Sequence, residues 1–145
     1  MTDCMKTRIS QALTSRLITL TEIKTVEFDK VRLTSDDFMS VHCPAIQLID
    51  VAETIQHEQQ RAKKTWILAL ELVMKSTSET PLSQVDLWNT HYKVERLLWS
   101  LPNLGIPGVI HLRYLGSQTD LHLIEPYYIV RMDLEALYYE PLVTD

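Results

Sequence analysis

Glycine is scarce in this chain. Three occur in 145 residues, at positions 105, 108 and 116. Neither the P-loop motif GxxxxGK[ST] nor GxGxxG is present, so phosphate-cradling loops of these types are excluded. No GxSxG nucleophile motif is present either. Two cysteines, Cys4 and Cys43, stand apart with no CxxC spacing, and they read as free thiols of a reducing compartment. The histidines, His42, His57, His91, His111 and His122, form no HxH or HxxxH pair, so no metal-ligand pattern is present. Long apolar runs are also missing. The longest spans Trp66 to Leu70, far short of the ~20 residues a membrane-spanning helix needs. Asp3, Lys6 and Arg8 near the start precede no continuous apolar segment, so no signal peptide is expected. Asp36-Asp37 follows Ser35 and reads as a turn rather than a catalytic carboxylate pair. These absences point away from an enzyme and lead us to expect neither cofactor nor metal.

Acid is in excess, but only at one end. The net charge is −5, yet residues 1–115 hold equal numbers of Lys/Arg and Asp/Glu. Residues 116–145 hold Arg131 against Asp120, Glu125, Asp133, Glu135, Glu140 and Asp145. Such an end lacks the Lys and Arg that grip phosphates. With 46% hydrophobic residues over this length, one domain covering residues 1–145 with a substantial core is expected, burying roughly 70% of its unfolded surface.

The pattern that is present centres on residues 64–75. Trp66, Leu68, Leu70, Leu72 and Met74 recur at every second position, and an extended backbone places all five on one face. The alternate face is also mostly apolar, which predicts a central strand. Upstream, Ile9, Ala12, Leu13, Leu17 and Leu20 predict an amphipathic helix over 5–20, with Thr2 or Asp3 as N-cap. Thr25–Leu33 reads as a weak or bulged strand. Pro44 opens a strand over 45–51. The polar stretch Glu53–Lys63 reads as the exposed, flared end of a long hairpin, with a short helix as the alternative. Thr80 as N-cap, Pro81 in the first turn and a Ser83/Asp86 capping box predict a second helix. Its apolar face comprises Val85, Leu87, Trp88, Val94, Leu97, Leu98 and Leu101. Two strands close the chain, 109–115 and 121–137, joined by 116–120. Tyr127-Tyr128 and Tyr138-Tyr139 each place one ring inward and one outward. The fold class is α+β, a mixed or antiparallel sheet with two amphipathic helices in the order α-β-β-β-α-β-β. Arg61, Lys63 and Lys64 form a small basic cluster on the hairpin, either a solvated charge run or a contact for an acidic partner surface.

Taken in order, the amphipathic N-terminal helix, CPAIQLID, ETIQHEQQRAKK, TWILALELVMK and VDLWNTHYKVERLLWSLP resemble the tail terminator, or tail completion, proteins of tailed bacteriophages. The likeness covers about residues 5–140 and is one of element order, without a diagnostic short motif. It implies a homo-oligomer, a hexameric ring at the head-proximal end of the tail tube in the neck of the virion, assembled in the host cytoplasm. Such a ring stops tube polymerisation and meets the tail tube protein on one side and the head-completion or connector protein on the other. DNA passes through its lumen without specific binding, and no membrane is involved. Within that reading, Glu53, His57, Glu58, Arg61, Lys63 and Lys64 are subunit-interface candidates, and Asp133 and Glu135 are channel-lining candidates. The alternatives are another neck or tail-tube component, or a small α+β enzyme or ligand-binding domain.

Overall fold

The computed structural model describes residues 3–29, 43–79, 81–119 and 127–141. Its elements are α1 (Met5–Leu17), β1 (Thr25–Glu27), β2 (Ala45–His57), β3 (Arg61–Lys75), α2 (Gln84–Trp99), β4 (Val109–Thr119) and β5 (Tyr127–Pro141). The order is α-β-β-β-α-β-β, an α+β fold. The five strands form one sheet in the spatial order β1-β2-β3-β5-β4. β1 runs parallel to β2, and every other neighbour pair is antiparallel.

β3 lies in the middle, as its two apolar faces require. Trp66, Leu68, Leu70, Leu72 and Met74 are all buried. Opposite them on β5 stand Ala136, Leu134, Met132, Val130 and Tyr128, and the first four are buried too. Both described helices pack on this face. α1 contributes Met5, Ile9, Leu13 and Leu17, and α2 contributes Leu87, Val94 and Leu98. The stripe spacing of three and four residues turns one side of each helix onto the sheet.

Several local expectations are corrected. α1 ends at Leu17, because residues 18–20 tighten into a turn in which the Thr19 hydroxyl donates to the Arg16 carbonyl at 2.6 Å. Its N-cap is Cys4, not Asp3, and Thr2 lies outside the described residues. Ser83, not Thr80, caps α2. Its hydroxyl accepts from the Asp86 N–H at 3.0 Å, while the Asp86 carboxylate accepts from the Ser83 N–H. Pro81 therefore precedes the helix, and Thr80 lies outside the described residues. β1 runs over Thr25–Glu27, while residues 30–33 of the expected 25–33 strand, the Ser35-Asp36-Asp37 turn, His42 and His122 lie outside the described residues.

The expected long, exposed hairpin is present and the helix alternative is not: β2 and β3 stay paired out to His57↔Ala62, so its end does not flare. β5 pairs alongside as far as Arg61↔Pro141, so the tip is three strands wide. Residues 116–119 belong to β4, not to its connection, since Thr119 still pairs with Val130.

Candidate assembly surface

The middle of the β2–β3 hairpin carries a connected polar cluster on the helix side of the sheet. The Trp66 indole N–H donates to Asp50 Oδ1 at 2.8 Å. Lys6 Nζ of α1 lies 3.1 Å from Asp50 Oδ2 and 3.3 Å from Glu53 Oε2, and 5.3 Å from the centre of the Trp66 ring. The Tyr138 hydroxyl donates to Glu53 at 3.0 Å. Lys64 lies 3.3 Å from Glu140 and 3.8 Å from Glu53. Burial pushes the Lys6 ammonium down, but the Asp50 and Glu53 carboxylates outweigh it and hold its pKa above the ordinary value. Asp50 moves the opposite way. Burial raises it, and the Trp66 and Lys6 hydrogen bonds bring it below its ordinary value. Burial first, and then the Glu53 carboxylate, hold the Tyr138 hydroxyl protonated well beyond the normal range.

The six interface candidates thus do not form one patch. Cross-strand pairing puts Glu53, His57 and Lys64 on the helix side, and Lys63 on the other. Glu53 and Lys64 are engaged within the protomer. Arg61 sits 3.0 Å from Glu58 and stacks on the Tyr139 ring at 3.7 Å. His57 is exposed at the tip. The basic cluster expected from Arg61, Lys63 and Lys64 is therefore divided between two faces.

Asp133 and Glu135 lie on the sheet face opposite the helices, paired in register with Ala69 and Ile67. Both are held by neighbours. Glu135 Oε1 meets His111 Nε2 and Arg113 Nη2, each at 3.0 Å, and Asp133 meets Arg131 Nε at 3.0 Å. The His111 hydrogen bond, with Arg113 beside it, outweighs burial and keeps Glu135 below the usual carboxylate range. This part of the face is charge-balanced rather than acidic. Asp120, Glu125 and Asp145 lie outside the described residues.

Among the described residues no group of three or more His, Cys, Asp or Glu side chains is arranged to hold a metal, and no helix is long and apolar enough to cross a membrane.

Several exposed surface features are apolar, and two of them, Val85 and Trp88, are residues that periodicity puts on the apolar face of α2. Val85, Trp88, Tyr92 and Trp99 of α2 are exposed, Trp88 by 57% and Trp99 by 58%. Their spacing of three, four and seven residues keeps them on one side of the helix. Trp99 makes edge-on contacts with Tyr92 at 6.4 Å and with Tyr114 of β4 at 6.3 Å. Glu95 holds the Tyr114 hydroxyl, and Arg96 lies over the Tyr92 ring at 5.8 Å. The ridge is therefore braced from both sides. Three more exposed aliphatics, Val51, Ile110 and Leu115, sit where the β2 and β4 ladders slip register by one residue. Such bulges turn a side chain out of the pleat.

At the other end of the sheet is a cleft. Among the described residues β1 pairs with β2 as far as Gln47, and a hollow of about 400 Å³ lies between α1 and β2. Phe28 and the almost fully buried Leu48 and Trp66 line its apolar part, and Lys6, Thr7, Asp29 and Asp50 its polar part.

No protein-family model matches the chain, and none of the curated proteins matches it. Among solved structures it is similar to a chain of the virion of a native gene transfer agent particle. The TM-score is 0.59 at 10% identity, over 91% of this chain and 95% of that chain. At that identity the likeness is one of fold, and it extends over nearly the whole of both chains.

Proposed function

We propose that the chain is a structural protein of a phage or phage-like virion, acting by assembly and not by chemistry. Its role in this reading is that of a tail terminator. Copies form a ring, a hexamer by resemblance, on the head-proximal end of the tail tube, stop its growth and offer a surface to the head connector. The observation that carries the reading is the near full-length fold likeness to a chain of a gene transfer agent virion. The element order that resembles the terminator family points the same way. A second reading is favoured by the breadth of that same likeness, since the neighbour is described only as part of a virion. In it the chain is another neck component or the tube subunit itself.

Tubes grown with increasing amounts of the purified chain separate the two. A terminator shortens the tubes and leaves one ring at one end. A tube subunit lengthens them, and a chain that leaves tube length unchanged is not a terminator.

Within this proposal the helix-free face of β5 lines the lumen, with Asp133 and Glu135 on it. Paired with Arg131, Arg113 and His111, these acids make a wall that neither holds the duplex through counterion release nor repels it strongly. Replacing both by Lys should create salt-sensitive DNA retention in the ring. Unchanged DNA passage would put them on the outside.

A further inference from the structure

The exposed ridge of α2 carries a symmetry in its spacing. Val85, Trp88, Tyr92, Arg96 and Trp99 follow one another at intervals of three, four, four and three residues, all of them exposed. At about 100° per residue they share an arc of about 80°, on the side of the helix away from the buried Leu87, Val94 and Leu98. The intervals read the same from either end, with Tyr92 at the centre. A second α2 laid antiparallel on the first therefore meets it residue for residue. We propose that two copies of this chain pair through α2 about a two-fold axis at Tyr92.

Three observations favour a second copy of this chain as the occupant. The first is chemical. The axis brings Trp88 of each protomer opposite Arg96 of the other, so each indole face receives a guanidinium. Among the described residues Arg96 lies over the Tyr92 ring and forms no ion pair. Val85 meets the opposing Trp99, and Tyr92 meets its own counterpart. The second is electrostatic. Arg96 is the one charged residue of the ridge, and the pairing keeps the two guanidiniums apart. They stand eight residues from each other along the helices, about 12 Å, beyond the roughly 8 Å range of a charge at physiological ionic strength. The third is area. Trp88, Tyr92 and Trp99, each half exposed or more, leave roughly 300 Å² open in each protomer. Counted twice, with Val85 and Arg96 added, the contact approaches the ~1,000 Å² that a specific interface needs. The ridge is also set beforehand. Trp99 stands edge-on to Tyr92 and Tyr114, so pairing has few side chains to order.

This contact is isologous, the same patch used twice, and it closes with two copies. A ring with unlike faces has no two-fold axis between neighbouring subunits. The pair is therefore the form of the chain off the tube, and the inference goes beyond the ring reading.

The test places charge at the axis. Tyr92→Glu and Tyr92→Lys are made in the full chain, and circular dichroism establishes that each folds. Sedimentation without tubes then gives the mass. The parent should be a dimer at about 1 mM or below. Each variant alone sets like charges face to face and should lose pairing by roughly 100-fold or more. An equimolar mixture of the two should restore a one-to-one dimer, because residue 92 then meets its opposite. The proposal is overturned if the parent stays monomeric at that concentration, or if folded single variants pair like the parent. It is also overturned if the mixture stays monomeric, or if the parent is larger than a dimer and Tyr92→Glu leaves its mass unchanged. Tube length is scored separately. A parent that pairs but leaves tube length unaltered overturns the terminator reading and leaves the pair standing. A parent that shortens tubes but never pairs does the reverse.

Discussion

Two tryptophans of the same chain do opposite things. Trp66 is buried, its ring packed in the core and its N–H given to Asp50, whereas Trp88 is mostly in solvent. Trp66→Ala should destabilise the fold by about 3–5 kcal/mol, through lost burial and the cavity left behind. Trp88→Ala should change it by no more than about 0.5 kcal/mol. Urea unfolding of both variants checks the contrast, and equal losses would contradict it. Sequence periodicity made the first residue legible, because a strand alternates strictly and only one of its faces could hold five large apolar side chains. It places Val85 and Trp88 on the apolar face of α2, yet both are exposed. α2 carries apolar residues on more of its circumference than a sheet can cover, so spacing alone does not say which of them turn inward. Glu135 is the residue whose behaviour should depend on pH. A carboxyl held below its ordinary value stabilises the fold above that value and loses the contribution as pH falls through its folded pKa. The stability difference between the wild type and Glu135→Gln should therefore be full at pH 7 and fade as pH drops below about 4.5. A difference that persists unchanged at pH 3 would show that the His111–Glu135–Arg113 cluster is not its source.

At the scale of elements, the two helices, the central strand and the hairpin were legible, while their ends were not. Helix ends depend on which of several eligible side chains reaches the free backbone N–H groups, and Thr80 and Ser83 were both eligible. In the structure the reciprocal Ser83–Asp86 pair provides the cap. Ser83→Ala should cost about 1 kcal/mol, read from the shift in the thermal or urea midpoint, and a neutral result would return the cap to an upstream residue. The extension of β2 through His57 was hidden for another reason. Glu53 to His57 is polar, as a strand exposed near a sheet edge can be, and its pairing is fixed by β3 and β5 rather than by its own pattern. The same holds for residues 116–119, where Gly116 and the polar residues after it resemble a turn but continue pairing with β5. The ion pairs around Asp133 and Glu135 were invisible in one dimension, since Arg113 and His111 reach Glu135 only through strand register.

For the whole molecule, the centre of the sheet is fully buried on its helix side. Its helix-covered face is a continuous core. The α2 ridge of Val85, Trp88, Tyr92 and Trp99 is a surface that the protomer leaves in water. In the proposed reading the protein works by assembly, through surfaces such as the α2 ridge. The measurement that tests this most directly is the native mass of the chain assembled on tail tubes. The account predicts one closed species at a single integer multiple of the chain mass, six by the terminator resemblance, seen end-on as a ring with an open lumen. A monomer on the tubes, or an open ladder of ever larger polymers, would contradict it.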